Sequence, residues 1–228
     1  IAGLAAKRCA PVRAGNLRAQ FDAIVLPSIP PDRLAQGLSD EVLPTEYAGG
    51  LTPAGIEALR AFVRAGGTVV SLGFSSGFAI GTFDLPLRDV ARDYEERLFV
   101  PGSLVRVALD PAQPLSFGMP QDTAGFFLFS SIFGAPASAG RGTPYAQPSL
   151  AAGMKTIARY GDQDVLLSGW LEGEDMIAGR AAVVEAPVGT GRVVLFGFPV
   201  QHRAQSYATF RLLFNALFTS PQAPARKR

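Results

Sequence analysis

Cysteine and histidine are almost missing from this chain, which has one of each, Cys9 and His202. An intrachain disulfide is excluded, and so is a zinc site built from Cys and His side chains, which needs several such ligands. Long apolar runs are missing as well. Stretches such as residues 193–196 and 126–129 fall far short of the roughly 18 residues a membrane-spanning helix requires, so a soluble domain is expected. Neither sign of charge dominates: 21 Lys and Arg against 19 Asp and Glu leave a formal +2, and the basic residues are scattered. No basic stripe argues for nucleic acid. The one cluster, Arg226-Lys227-Arg228, follows a Pro-containing stretch, and residues 221–228 are expected to be a disordered tail.

What is present is material for a core. With 48% hydrophobic and 18% charged residues among 228, the chain can bury a full interior, which excludes disorder as its overall state. A single domain over residues 1–220 is expected. The chain begins with Ile1, and residues 1–9 lack the apolar core of a signal peptide, so it reads as a fragment of a longer protein. The compartment stays open on that evidence.

Residues 21–26 are an apolar run stopped by Pro27, the pattern of a strand buried on both faces of a parallel sheet. A long loop with several Pro and Gly residues follows over 28–51, with a helical turn at 32–36. Thr52-Pro53 then starts a helix, Thr capping free amides and Pro having none to lose. Ile56, Leu59, Phe62 and Val63 recur on one face until Gly66-Gly67 ends it. A second buried strand at 68–72 completes a strand-helix-strand crossover, hence an α/β fold. Further strands are expected at 104–109, 125–133, 154–160 and 165–167, and a flexible surface loop at 135–148. A hairpin of 181–186 and 192–198 and a closing helix striped by Phe210, Leu213, Phe214 and Leu217 end the chain.

Gly73-Phe74-Ser75-Ser76-Gly77 leaves the second strand in the G-x-S-x-G pattern of a nucleophile elbow, where small neighbours let a sharp turn expose one hydroxyl. Two readings stand. Either Ser75 is a nucleophile whose oxyanion meets backbone amides at a helix start, or a strand-to-helix turn simply needs small residues. His202 is the only histidine available as its base. It follows the strand at 192–198, and in a parallel sheet both loops would share the C-terminal edge where α/β proteins place their sites. No acid within 201–205 stands ready to orient it, and it also fits a hydrogen-bonded structural role. Ser76, Gln201 and Arg203 are candidate ligand-binding residues, with Arg203 and the elbow amides holding an anion. Gly189-Thr190-Gly191 precedes a strand and reads as a turn, not a phosphate cradle. Glu172, Glu174 and Asp175 read as a solvated helix start.

Arg13-Ala14-Gly15-Asn16-Leu17-Arg18, Pro44-Thr45-Glu46-Tyr47-Ala48-Gly49-Gly50-Leu51, Gly66-Gly67-Thr68-Val69-Val70, Phe78-Ala79-Ile80, Leu167-Ser168-Gly169-Trp170-Leu171 and the stretch from Gly191 through Gln201-His202-Arg203-Ala204-Gln205 together resemble one family. It is the C-terminal, class I glutamine amidotransferase-like domain of bacterial zinc carboxypeptidase family proteins. The resemblance implies a flavodoxin-like, mostly parallel sheet with helices on both faces and a C-terminal hairpin. It also implies a peptidase domain ahead of this one that holds the zinc, no cofactor in this chain, and a secreted or periplasmic location. A catalytic amidotransferase carries Cys at the elbow and a later His-Pro-Glu. Here Ser75 stands near the Cys position, and no Glu falls two residues after His202. The expectation is a non-catalytic accessory domain with a degenerate site, packing on the peptidase domain through Tyr47, Phe127 or Phe129. A serine hydrolase using Ser75 and His202, and an anion- or small-ligand-binding domain, are the alternatives.

Overall fold

The computed structural model describes residues 16–45, 48–94, 96–135, 150–204 and 206–222. The chain enters through a 3-10 turn at Leu17–Ala19, whose N-terminal end is closed by the Asn16 side chain accepting from the Ala19 amide. It then runs through β1 (Ala23–Leu26), α1 (Pro31–Gln36), α2 (Thr52–Arg64) and β2 (Thr68–Leu72). β1 and β2 pair in parallel, with Ala23 opposite Thr68 and Leu26 opposite Ser71. The expected crossover is therefore present, with both helices in its connection. Thr52 does not cap α2 with its side chain. Its φ of +61° departs from the extended backbone that aims a capping hydroxyl at the following amides.

After β2 come α3 (Ser75–Thr82), β3 (Arg88–Asp89), β4 (Ser103–Leu109), β5 (Asp122–Phe127), β6 (Phe133–Gly134), β7 (Lys155–Tyr160) and β8 (Leu166–Ser168). The expected strand over 125–133 is thus two strands with a turn between them. Ser130 breaks it, because its hydroxyl accepts from the Leu128 amide and closes a local turn. Last come α4 (Glu174–Ile177), β9 (Ala181–Val188), β10 (Gly191–Phe196) and α5 (Phe210–Phe218). The expected surface loop at 135–148 lies outside the described residues except for its first position. Residues 223–228 lie outside them too. The described start of that tail is tied down, since Arg18 donates to the carbonyls of Pro221 and Gln222.

The main sheet has the order β1-β2-β10-β9-β7-β4-β5. Parallel pairing joins β1, β2 and β10, and from β9 outward the ladders are antiparallel. Connection length explains the change, because two residues separate β9 from β10 and so short a link can join only antiparallel strands. The expected C-terminal hairpin is this pair. Successive residues of the central strands face opposite layers. Val69, Val193 and Leu195 pack with Leu59, Phe62 and Val63 of α2, while Val70, Val194 and Phe196 pack with Leu212 and Ala216 of α5. Helices therefore cover both faces, and all five residues of β2 are buried. In the antiparallel part β4 alternates buried and half-buried residues, the pattern of a sheet with one packed face. No helix among the described residues is long and apolar enough to cross a membrane.

At Gly191 the start of β10 is pressed against the end of α2: a Cβ there would stand 2.1 Å from the Val63 carbonyl oxygen and 2.3 Å from that of Gly67. Gly81, in α3, has nothing within 4 Å of such an atom. Urea unfolding should therefore show Gly191→Ala destabilised by about 2–4 kcal/mol and Gly81→Ala stabilised by a few tenths to about 1 kcal/mol. Equal effects would contradict the packing described at these two positions.

Candidate functional site

β2 leaves the sheet into Gly73, which takes a φ of +51°. This is the strained apex of the strand-to-helix turn, the position at which a nucleophile elbow presents its side chain. Here the apex has none, and a Cβ would lie 2.5 Å from Ser28 Oγ and 3.2 Å from Ser28 Cβ. Ser28 fills that space and accepts from the Phe74 amide at 3.2 Å. Ser75 and Ser76 already belong to the first turn of α3, and both are 0% exposed. Ser75 Oγ accepts from the Leu72 amide at 3.0 Å and has the carbonyls of Leu26 and Leu72 at 3.0 and 2.9 Å as acceptors for its single proton. Ser71 Oγ lies 3.0 Å away. Ser76 Oγ donates to the Phe196 carbonyl at 3.1 Å. The two hydroxyls therefore join the ends of β1, β2 and β10 and face inward.

The parallel pairing of β2 with β10 does bring their following loops to one edge of the sheet. Beyond that edge they diverge. Thr209 Oγ1 donates to the Val200 carbonyl and Ser206 Oγ to the Ala124 carbonyl, which draws residues 200–204 and Ser206 over β5. His202 stacks there on Phe126, with ring centroids 4.4 Å apart and planes 9° from parallel. No hydrogen bond joins Ser75 to His202 among the described residues. Gln201 and Arg203 are exposed, and Arg203 takes a φ of +46°. With Ser76 they form no common site. Glu174 and Asp175 do start a short helix, as expected. Among the described residues no group of three or more His, Cys, Asp or Glu side chains could hold a metal ion.

The same edge carries a cavity of about 580 Å³, a size typical of small-molecule sites. Phe74 and Gly77 of the elbow form one wall, and Asp89, Arg92, Phe129 and Ser131 bring the middle of the chain to it. Phe74 and Phe129 stack with centroids 5.5 Å apart. Phe129 holds a φ of +46° and is 67% exposed, whereas Phe127 is 4% exposed and packed in the core. Phe127 is therefore no surface anchor, because β5 turns its odd-numbered side chains inward. Tyr47 lies outside the described residues. Asp89, Arg92 and Ser131 had no sequence signal beyond a short run of mixed charges, Arg88-Asp89-Val90-Ala91-Arg92-Asp93, between apolar segments.

Helices on both faces, a parallel unit of β1, β2 and β10 ending in a glycine turn and a closing hairpin make this an α/β fold of the flavodoxin-like kind. No known protein family matches the sequence, and no curated protein does. Among solved structures, a cytoplasmic protein of Salmonella typhimurium aligns with 12% identity and a TM-score of 0.50, over 94% of this chain and 79% of that one. A second cytoplasmic protein, from Salmonella typhimurium LT2, aligns with 10% identity and a TM-score of 0.50, over 94% and 80%. A GMP synthase-type protein of Thermoplasma acidophilum aligns with 9% identity and a TM-score of 0.45, over 87% and 72%. For the two Salmonella typhimurium proteins, at these identities, the likeness is one of fold alone.

Two outcomes follow from the buried groups. Ser75→Ala removes the acceptor of a buried amide, so denaturant unfolding should show a loss of about 1–3 kcal/mol. Ser75→Cys that left stability unchanged and became reactive to thiol reagents in the native state would contradict the enclosure of this side chain. Tyr160, fully buried, donates to the Ser131 carbonyl at 2.8 Å. Burial first, and the Asp89 carboxylate second, raise its pKa well above the ordinary value. The native state thus keeps a proton that the unfolded chain releases near pH 10 or so. Its contribution is complete below that pH and is lost as pH rises beyond it. Tyr160→Phe should flatten this alkaline decline in stability measured against pH.

Proposed function

We infer that this chain is a non-catalytic accessory domain with a degenerate amidotransferase-like site, belonging to a zinc carboxypeptidase-like protein. The glycine at the apex of the elbow carries this reading. Nucleophilic catalysis needs a side chain at the reacting position and a base in contact with it, and Gly73 offers no side chain while Ser75 is enclosed. His202 is engaged with Phe126. Glutaminase or serine hydrolase chemistry would require α3 to unwind its first turn and break the hydrogen bonds of Ser75 and Ser76. The parent protein is supported by the resemblance of the sequence segments named above, and by that alone. The zinc would sit in the peptidase domain, whose chemistry this donor-poor chain does not supply. The partner is that domain, and Phe129 is the expected anchor that stays exposed.

Purified chain should show no labelling by a fluorophosphonate probe and no release of ammonia from glutamine. Labelling abolished by both Ser75→Ala and His202→Ala would overturn the non-catalytic reading. The parent is tested by sequencing the gene ahead of this chain and co-expressing the encoded segment. A zinc-binding His-x-x-Glu with a later His, in a segment that co-purifies with this chain, is the expected result. A gene without such a segment would overturn the carboxypeptidase assignment and leave the non-catalytic one standing.

A further inference from the structure

We propose that the cavity at the C-terminal edge of the sheet binds a free α-amino acid with an apolar side chain. Its charged groups are matched to a dipolar ligand. Arg88 is neutralised by Asp93, but Arg92, exposed at the cavity, makes no ion pair or hydrogen bond among the described residues. Asp89 is held rigidly: its Oδ1 accepts from the amides of Ala91 and Ile132, both at 3.0 Å. Its second carboxylate oxygen accepts nothing from the described residues. A guanidinium awaiting a carboxylate and a carboxylate with a free oxygen thus line one space, complementary to the carboxylate and ammonium of an amino acid.

Ser131 adds a hydroxyl beside these two charges. It lines the cavity and is 4% exposed. Its backbone is fixed at both ends, the amide donating to the Gly197 carbonyl at 2.6 Å and the carbonyl accepting from Tyr160. Its hydroxyl makes no hydrogen bond to another described residue and is not one of the enclosed unpaired polar atoms, so it is free to donate into the cavity. A ligand carboxylate would accept from it alongside Arg92.

The remaining walls choose the side chain. Leu87, Leu98, Val100 and Phe127 are apolar, and the stacked pair of Phe74 and Phe129 adds an aromatic face. Leucine or phenylalanine buries apolar surface against these walls, which the carboxamide of glutamine does not. This inference goes beyond the accessory-domain reading and does not depend on the parent protein, since the chain alone carries every group named.

Calorimetric titration of the purified chain with L-phenylalanine and L-leucine tests it. Saturable binding with Kd below about 1 mM is expected. Removing either charge, as in 3-phenylpropionate or phenethylamine, or replacing the side chain, as in L-glutamine, should weaken binding about tenfold or more. Arg92→Gln and Ser131→Ala should each weaken L-phenylalanine binding about tenfold, with Arg92→Gln leaving the melting temperature unchanged because that side chain supports nothing in the fold. No saturable binding by wild type would overturn the proposal. Equal affinity for glutamine, or full affinity in Arg92→Gln, would do the same. Ammonia release from glutamine would instead count against the non-catalytic reading, so the two failures are distinct.

Discussion

The structure depends on how three parallel strands end inside the protein. β2 is covered on both faces and flanked on both edges, so the polar groups at its C-terminal end have no water to turn to and must be paired internally. Ser75 and Ser76 meet that demand. By linking the Leu26 and Leu72 backbone to one hydroxyl and the Phe196 carbonyl to the other, they lock β1, β2 and β10 to the first turn of α3. An elbow of small residues has thereby become a joint. The hydroxyls that a hydrolase would aim outward are the ones that hold the sheet edge together.

That joint also decides where an open site can be. With the elbow hydroxyls turned inward and the loop after β10 drawn across β5, the accessible space lies beside the elbow, towards β3 and the turn between β5 and β6. Asp89 organises this neighbourhood by accepting from the amides of Ala91 and Ile132. Gly197 and Tyr160 fix Ser131 from below. The walls of the cavity are therefore set by buried hydrogen bonds before any ligand arrives, which is the condition for a preorganised site.

Much of the fold was legible in local sequence. β2 and β10 are short runs of β-branched and aliphatic residues too apolar to face water on either side, and the helical stripe of Leu59, Phe62 and Val63 predicts the face that α2 buries. The hairpin of β9 and β10 follows from two apolar runs around Gly189-Thr190. Where local patterns misled, a contact outside the pattern had overridden them. Thr52 has a capping residue's chemistry but takes a backbone that prevents it, and the apolar stretch after Gly125 is interrupted because Ser130 bonds to Leu128 and Ser131 to Gly197.

By itself, the sequence determined the α/β class, the central strands and the shortage of metal ligands and of a paired base, because periodicity and composition are properties of the chain. It also placed the two loops of interest at one sheet edge, since parallel pairing requires that. Only the tertiary structure decided which way the serines point, that Phe127 is core while Phe129 is surface, and that Asp89, Arg92 and Ser131 line one cavity. Those outcomes turn on contacts between residues far apart in the chain, such as Ser75 with Leu26 and Asp89 with Ile132. The direction of a side chain at a turn is set by whichever distant partner can satisfy it, and no local pattern carries that information.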